Sequence, residues 1–183
     1  MKKRILISQI ATLALLIAAR PESWPLFWAG LAVMAAGQAV RLAASAAIVK
    51  SKTLTTTGPY AVVRNPLYLG TMIMTAGFLI MLSAPSRPLL SACIWAAAAA
   101  VFGWIYYRTI KAEEVFLRGV YGRAFEDYCA AVPSILACPC RFSGFFGKEA
   151  YSREVFRRNK EWRGMCAAFV LAVFVALRIK YAF

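Results

Sequence analysis

Two groups of residues in this chain have types and spacing suited to chemistry. The first lies in the stretch 52–70, KTLTTTGPYAVVRNPLYLG, where Tyr60, Arg64, Asn65 and Tyr68 are set among the structure breakers Gly58, Pro59, Pro66 and Gly70. Pro66 biases Asn65 away from the helical region, so a helix is expected to begin at about Pro66 with Asn65 near its N-cap. Arg64 and Asn65 then stand at a helix mouth whose free N–H groups favour an anion such as a carboxylate. The plainer alternative is a proline-capped helix start with Tyr and Arg anchoring a membrane edge. The second group is Glu113 and Glu114, an acidic pair in a basic chain. They could receive a cation or the hydroxyls of a sugar, or serve only to pair with Arg108, Lys111 or Arg118 at helical spacing.

The elements that must position these groups are set by hydropathy. Hydrophobic residues make up 61% of the 183, and the mean hydropathy is +0.61, more apolar surface than a soluble domain of this length buries. The apolar runs are 5–19, 25–49, 67–84, 89–107 and about 164–179. A span needs roughly 17–25 mainly apolar residues, so the first and last runs must tilt or draw on their flanks. The expectation is an all-α integral membrane protein, one domain over 1–183, with about five transmembrane helices and a motif region over 50–136. The start, Met1-Lys2-Lys3-Arg4 and an apolar run, also resembles a signal peptide. Ile17-Ala18-Ala19 is a poor cleavage site and Arg20-Pro21 follows at once, so the run is read as the first helix.

Charge gives the orientation. Most of the 22 Lys and Arg flank the N-terminus, the 50–64 stretch and the long segment 108–163, and the other side receives only Arg20, Arg87, Arg178 and Lys180. By the positive-inside rule the N-terminus and both chemical groups are cytoplasmic and the C-terminus is outside. The net charge of +14 is spread along juxtamembrane segments with no reader fold, which suits anionic headgroups and argues against nucleic acid. Five cysteines and no histidine, with Cys138 and Cys140 closer together than in a metal knuckle, argue against a metal site.

Within the second helix Gln38 and Arg41 interrupt an apolar run. An intramembrane arginine faces protein or a wet cavity, or else snorkels toward the headgroups, and both readings stay open. The turn Pro85-Ser86-Arg87-Pro88 is short, so the third and fourth helices form an antiparallel hairpin that returns Tyr106, Tyr107 and Arg108 close to Arg64 and Asn65. Beyond it, Leu117, Tyr121, Phe125 and Tyr128 fall at helical spacing, interrupted by Gly122. The segment 149–163, with Tyr151, Val155 and Trp162 among basic residues, reads as a short interfacial helix.

These residues carry a resemblance. Gly58-Pro59-Tyr60, Arg64-Asn65-Pro66-Leu67-Tyr68-Leu69-Gly70, Glu113-Glu114, Leu117, Tyr121-Gly122, Tyr128 and Val132-Pro133 resemble the paired signatures of the isoprenylcysteine carboxyl methyltransferase family, and the phospholipid N-methyltransferases share much of the pattern. The resemblance implies a five-helix membrane enzyme that uses S-adenosylmethionine (AdoMet) at the cytoplasmic end of the bundle and methylates a lipophilic, prenylated or lipid substrate. It implies that Lys52, Thr53, Leu54, Tyr60, Arg64, Asn65, Pro66, Tyr68 and one of Glu113 or Glu114 bind the cofactor. It also implies that Arg108 faces the substrate, which with Glu113 and Glu114 makes up the candidate catalytic group. The family usually has histidine where this chain has Asn65, so histidine-based chemistry is not expected. The side chains suit AdoMet on physical grounds as well: Arg64 with the helix start for its carboxylate, a glutamate for its hydroxyls, Tyr60 and Tyr68 for its sulfonium and adenine. Alternatives are a phospholipid N-methyltransferase, an NADPH-dependent reductase of the related sterol reductase architecture, or a non-catalytic membrane subunit.

Overall fold

The computed structural model describes residues 2–48, 53–136, 145 and 151–181, and among them it is all helical with no strand. The elements are α1 (Lys2–Ala18), α2 (Trp24–Ala47), the single turn α3 (Pro59–Val62), α4 (Pro66–Leu82), α5 (Pro88–Tyr121), α6 (Arg123–Ala131), α7 (Arg153–Asn159) and α8 (Trp162–Tyr181). By length and composition α2, α5 and α8 can each cross a membrane, and Leu6–Ala18 and Pro66–Leu82 are shorter apolar helices. Large apolar side chains such as Leu6, Ile10, Leu13, Trp28, Trp104 and Phe169 stand exposed around the bundle, as in a protein whose outer surface meets lipid.

The centre of the bundle is the α2–α4 seam. Gly30 faces Gly77 and Gly37 faces Gly70, and the helices run antiparallel so closely that a Cβ on Gly77 would lie 2.5 Å from the Gly30 carbonyl oxygen and one on Gly37 2.6 Å from that of Gly70. Glycines seven apart on both helices return to one face every two turns, and without side chains there the backbones meet directly. Met34, Phe78, Met81 and Leu82 flank the seam, and Leu16, Ile94, Ala98, Phe102 and Val175 bring α1, α5 and α8 onto it.

One end of the bundle is tied by loops. Ser86 donates from its N–H (2.7 Å) and hydroxyl (2.5 Å) to the Glu22 carboxylate, and the buried Arg178 donates to the Leu16 carbonyl. The residues singled out for chemistry gather at the other end. Two expected boundaries change there. The helix of the fourth apolar run does not end with that run at 107: α5 continues as one helix of 34 residues, about 50 Å at 1.5 Å per residue, so Glu113 and Glu114 ride on the same rigid rod as the apolar run. The segment 149–163 is not one helix. α7 stops at Asn159, Lys160 takes a left-handed conformation (φ 52°, ψ 36°), and Trp162 opens α8. The break at Gly122 falls where the sequence places it, at φ 51° and ψ −127°, a backbone that glycine alone adopts at no steric cost.

Candidate active site

The site is built where three backbone segments meet. Val63 leaves α3 extended, and Arg64 and Asn65 then pair like a short strand with the chain after α6: Arg64 N–H donates to the Pro133 carbonyl (2.9 Å) and Asn65 N–H to that of Ser134 (3.1 Å). Pro66 then starts α4 with Asn65 at the N-cap position, as its sequence requires, but the Asn65 side chain does not cap the helix. Its Nδ2 donates to the carbonyl (3.2 Å) and the hydroxyl (3.0 Å) of Ser134. Asn65→Leu is therefore expected to destabilise the fold by about 0.5–1.5 kcal/mol, because the half-buried Ser134 hydroxyl loses a donor while the Ser134 carbonyl keeps the Asn65 N–H, whereas Asn65→His retains a side-chain N–H for the same contact. Chemical denaturation of both purified variants measures this; a leucine variant as stable as the parent would show that the amide bond is idle.

Arg64 is held within the chain through both terminal nitrogens, and its Nε is buried with no hydrogen-bond partner among the described residues. Its NH2 meets the Glu114 carboxylate at 2.8 Å, and its NH1 donates to the carbonyls of Cys129 (3.0 Å) and Val132 (2.5 Å). The guanidinium thus satisfies the carbonyl end of α6 and anchors it to α5, and Glu114 in turn accepts from the Ser134 hydroxyl (3.1 Å) and lies 3.8 Å from Lys111 Nζ. The expected anion receiver at position 64 already holds an anion from the chain itself. Glu113, one residue earlier and about 100° round the same helix, takes a different partner: the Tyr68 hydroxyl donates to it at 2.8 Å. The Tyr68 ring lies 6.0 Å from that of Tyr106, so the hairpin of α4 and α5 does bring these ends side by side.

Two further tyrosines differ in their partners. Tyr128 donates to the Tyr60 carbonyl at 2.6 Å, locking α6 onto α3. The Tyr60 hydroxyl is buried with no hydrogen-bond partner among the described residues. Burial pushes the Tyr60 phenol well above its ordinary range, with Glu113, Tyr128 and Tyr68 adding to the effect and Arg41 opposing it; burial does the same to Tyr128. Both rings stay neutral at physiological pH, so Tyr60 presents a donor and is no base. An unpartnered buried hydroxyl costs about 1–3 kcal/mol, a penalty that a ligand can lift.

Tyr60 and its neighbours line one cavity of about 1560 Å³. Thr53, Leu54, Tyr60, Arg64, Asn65, Tyr68, Glu113 and Glu114 all contribute to its wall. Pro66 is buried at the start of α4 outside the lining, Lys52 lies outside the described residues, and Arg108 is not brought in: it is exposed on α5 with its guanidinium 5.4 Å from the Trp104 ring. From the polar end the cavity runs on along α4, α1 and α8, past Thr12, Thr71, Met74, Thr75 and Phe78. The threonine hydroxyls there donate to carbonyls one turn back, at 2.8 Å for Thr12 and Thr71 and 2.9 Å for Thr75, so this half presents mainly methyl groups and hydrocarbon.

Sequence reasoning missed one part of this wall. Arg41 lines the cavity and does not snorkel: Nε and NH2 meet both carboxylate oxygens of Glu161 at 2.8–3.2 Å, and NH1 donates to Leu67 O (3.2 Å) and Thr71 Oγ1 (2.5 Å). The arginine was conspicuous in its apolar run, but nothing local signals a partner 120 positions away. Among the described residues Cys93, Cys129 and Cys166 are free thiols and no cluster of metal-ligating side chains occurs; Cys138 and Cys140 lie outside them.

The chain is 35% identical over 82 residues to protein-S-isoprenylcysteine O-methyltransferase B of Arabidopsis thaliana, a match that covers 44% of this chain and 38% of that protein's length. It is 30% identical over 135 residues to probable protein-S-isoprenylcysteine O-methyltransferases of Oryza sativa subsp. indica and subsp. japonica, covering 67% of this chain and of each relative. No solved structure matches. Residues 26–124, more than half of the chain and including most of α2, all of α3 to α5 with the whole glycine seam, Arg41, Tyr60, Tyr68, Tyr106 and both glutamates, match the phospholipid methyltransferase family, and the chain is a member of that family.

Proposed function

We propose that this protein is an AdoMet-dependent methyltransferase of the membrane, acting on a lipophilic acceptor, most like isoprenylcysteine carboxyl O-methylation. The observation that carries the reading is the cavity. Pockets for drug-sized ligands run to about 300–1,000 Å³, so 1560 Å³ leaves room for a polar cofactor and a lipid chain together, and its two halves differ in chemistry as those two molecules do. The names of the relatives favour the carboxyl acceptor. The family match favours a second reading, N-methylation of a phospholipid.

The residues present fit the cofactor. Glu113 is the carboxylate that would hold its hydroxyls or amino group, Tyr60 offers the unmade donor, and the Tyr68 and Tyr106 rings offer aromatic faces to a sulfonium. Glu114 and Arg64 would act beneath this layer, fixing α5 against α6 so that Glu113 keeps its place. When bound, AdoMet supplies an electrophilic methyl group on a cationic sulfur. The chain's part is to align an acceptor with that methyl and to exclude water. If the acceptor is an anion, charge is lost on the way to the transition state, and the hydrocarbon lining of the lower cavity favours that loss. Tyr60, neutral and buried, does not take a proton, and an ionised carboxylate acceptor needs no base.

The cofactor end would face the cytoplasm, with the C-terminus outside, as the Lys and Arg distribution implies. In a cysteine-free background, a cysteine in place of the exposed Thr57 should resist an impermeant thiol reagent in sealed cells and one in place of the exposed Arg87 should react. The reverse pattern inverts the orientation. Incubating the membrane-embedded protein with methyl-labelled AdoMet and a lipid extract tests the activity: label in a base-labile ester is expected, label in an amine headgroup selects the second reading, and no transfer to any lipid contradicts the proposal.

A further inference from the structure

The Arg41–Glu161 pair stands on the cavity wall where the polar half gives way to the apolar half. Arg41 shares the lining with Tyr60, Leu67 and Thr71, and Glu161 with Gly164, Ala168 and Leu171 of α8. Its side chains are 22% and 11% exposed, so the ions face each other largely out of water, and each nitrogen of the guanidinium donates to an acceptor within the chain. A lone charge at this depth would be costly, whereas the closed pair is neutral.

The pair also sets the place of α8. Glu161 sits on the turn between α7 and α8, one residue after the left-handed Lys160. The same turn is fastened to the end of α2 by Asn159, whose Nδ2 donates to the carbonyls of Ser45 (2.7 Å) and Ile48 (3.3 Å). On the other side of Arg41, Gly70 leaves room for its stem: a Cβ there would meet Arg41 Cγ at 2.6 Å. The guanidinium therefore ties α2 and α4 to the turn that leads into α8, and the first turns of α8 form one wall of the lipid half.

Resting on the reading of the cavity given above, we infer that Arg41 and Glu161 are positioning residues for the acceptor. They hold the α8 wall at the width of a lipid chain and present a closed, neutral surface at the junction, so that an acceptor headgroup passes on toward the cofactor end instead of stopping at an exposed charge. The effect is on acceptor binding and not on the cofactor, since Glu113 and Tyr60 stand on α5 and α3, away from the turn that carries Glu161 and from α8.

The test uses the full chain in lipid nanodiscs with two probes, a dansylated S-farnesylcysteine for the lipid half and AdoMet for the polar half. Arg41→Gln and Glu161→Gln should each weaken farnesyl probe binding about tenfold or more, while AdoMet affinity stays within about twofold. Because the two act as one unit, the double variant should bind the probe no more weakly than the worse single variant. Unchanged probe binding, equal loss of both ligands, or additive losses in the double variant would each overturn the assignment. A parent protein that binds the farnesyl probe but not AdoMet would refute the proposed function and leave the probe arm to decide the role of the pair.

Discussion

Glu113→Gln should weaken AdoMet binding ten- to a hundredfold with little change in stability, and Glu114→Gln should do the opposite. Adjacent on one helix and chemically identical, the two glutamates are separated by their partners. Glu113 faces the cavity held by the Tyr68 hydroxyl, so its loss removes a charge-assisted hydrogen bond to a ligand, about 1.5–3 kcal/mol. Glu114 is half of the Arg64 ion pair that joins α5 to the carbonyl end of α6, and a glutamine there leaves a guanidinium short of its counter-charge in a largely dry place. Tyr60→Phe is a companion on the ligand side: it should weaken AdoMet by about 0.5–1.5 kcal/mol and cost no stability, because that hydroxyl makes no bond to lose. Calorimetric titration and urea unfolding on the same preparations separate the effects. If Glu114→Gln loses AdoMet and Glu113→Gln does not, the assignment of the pair is reversed.

Gly77→Leu should be the most damaging single substitution outside the site, at about 3 kcal/mol or more. No rotamer change relieves it, since the atoms its Cβ meets are the Gly30 carbonyl oxygen and the Met34 backbone, not a flexible side chain. The helices would have to part, and α4 carries Tyr68 and Thr71 along with it. Even Gly77→Ala should lower the unfolding midpoint measurably. An alanine variant that unfolds with the parent would mean that α2 and α4 sit farther apart than described.

Much of the local structure is legible in the sequence because local steric rules govern it. Pro66 starts a helix and Gly122 ends one for reasons that need no neighbour. The length of α5 was hidden because hydropathy ends near Tyr107 while helix formation does not: RTIKAEEVFLRGVY is polar but made largely of good helix formers. The seam was present as glycines at 30, 37, 70 and 77, yet inside apolar runs they read as span and not as contact. Arg64 shows the limit of motif reading. Its type and place suit an anion, and the anion turns out to be Glu114, since the sequence alone cannot tell which of two adjacent carboxylates that line the cavity pairs with it. The Arg41–Glu161 pair was out of reach altogether, being set by the way α8 returns to the seam.

Whether the cavity receives AdoMet at its polar end is tested most directly by titrating the purified protein with AdoMet and, separately, with NADPH. Saturable AdoMet binding that is weakened by Glu113→Gln, with no binding of NADPH, is the result expected. Saturable NADPH binding with none of AdoMet would contradict it and turn the same tyrosines and carboxylate to a reductase.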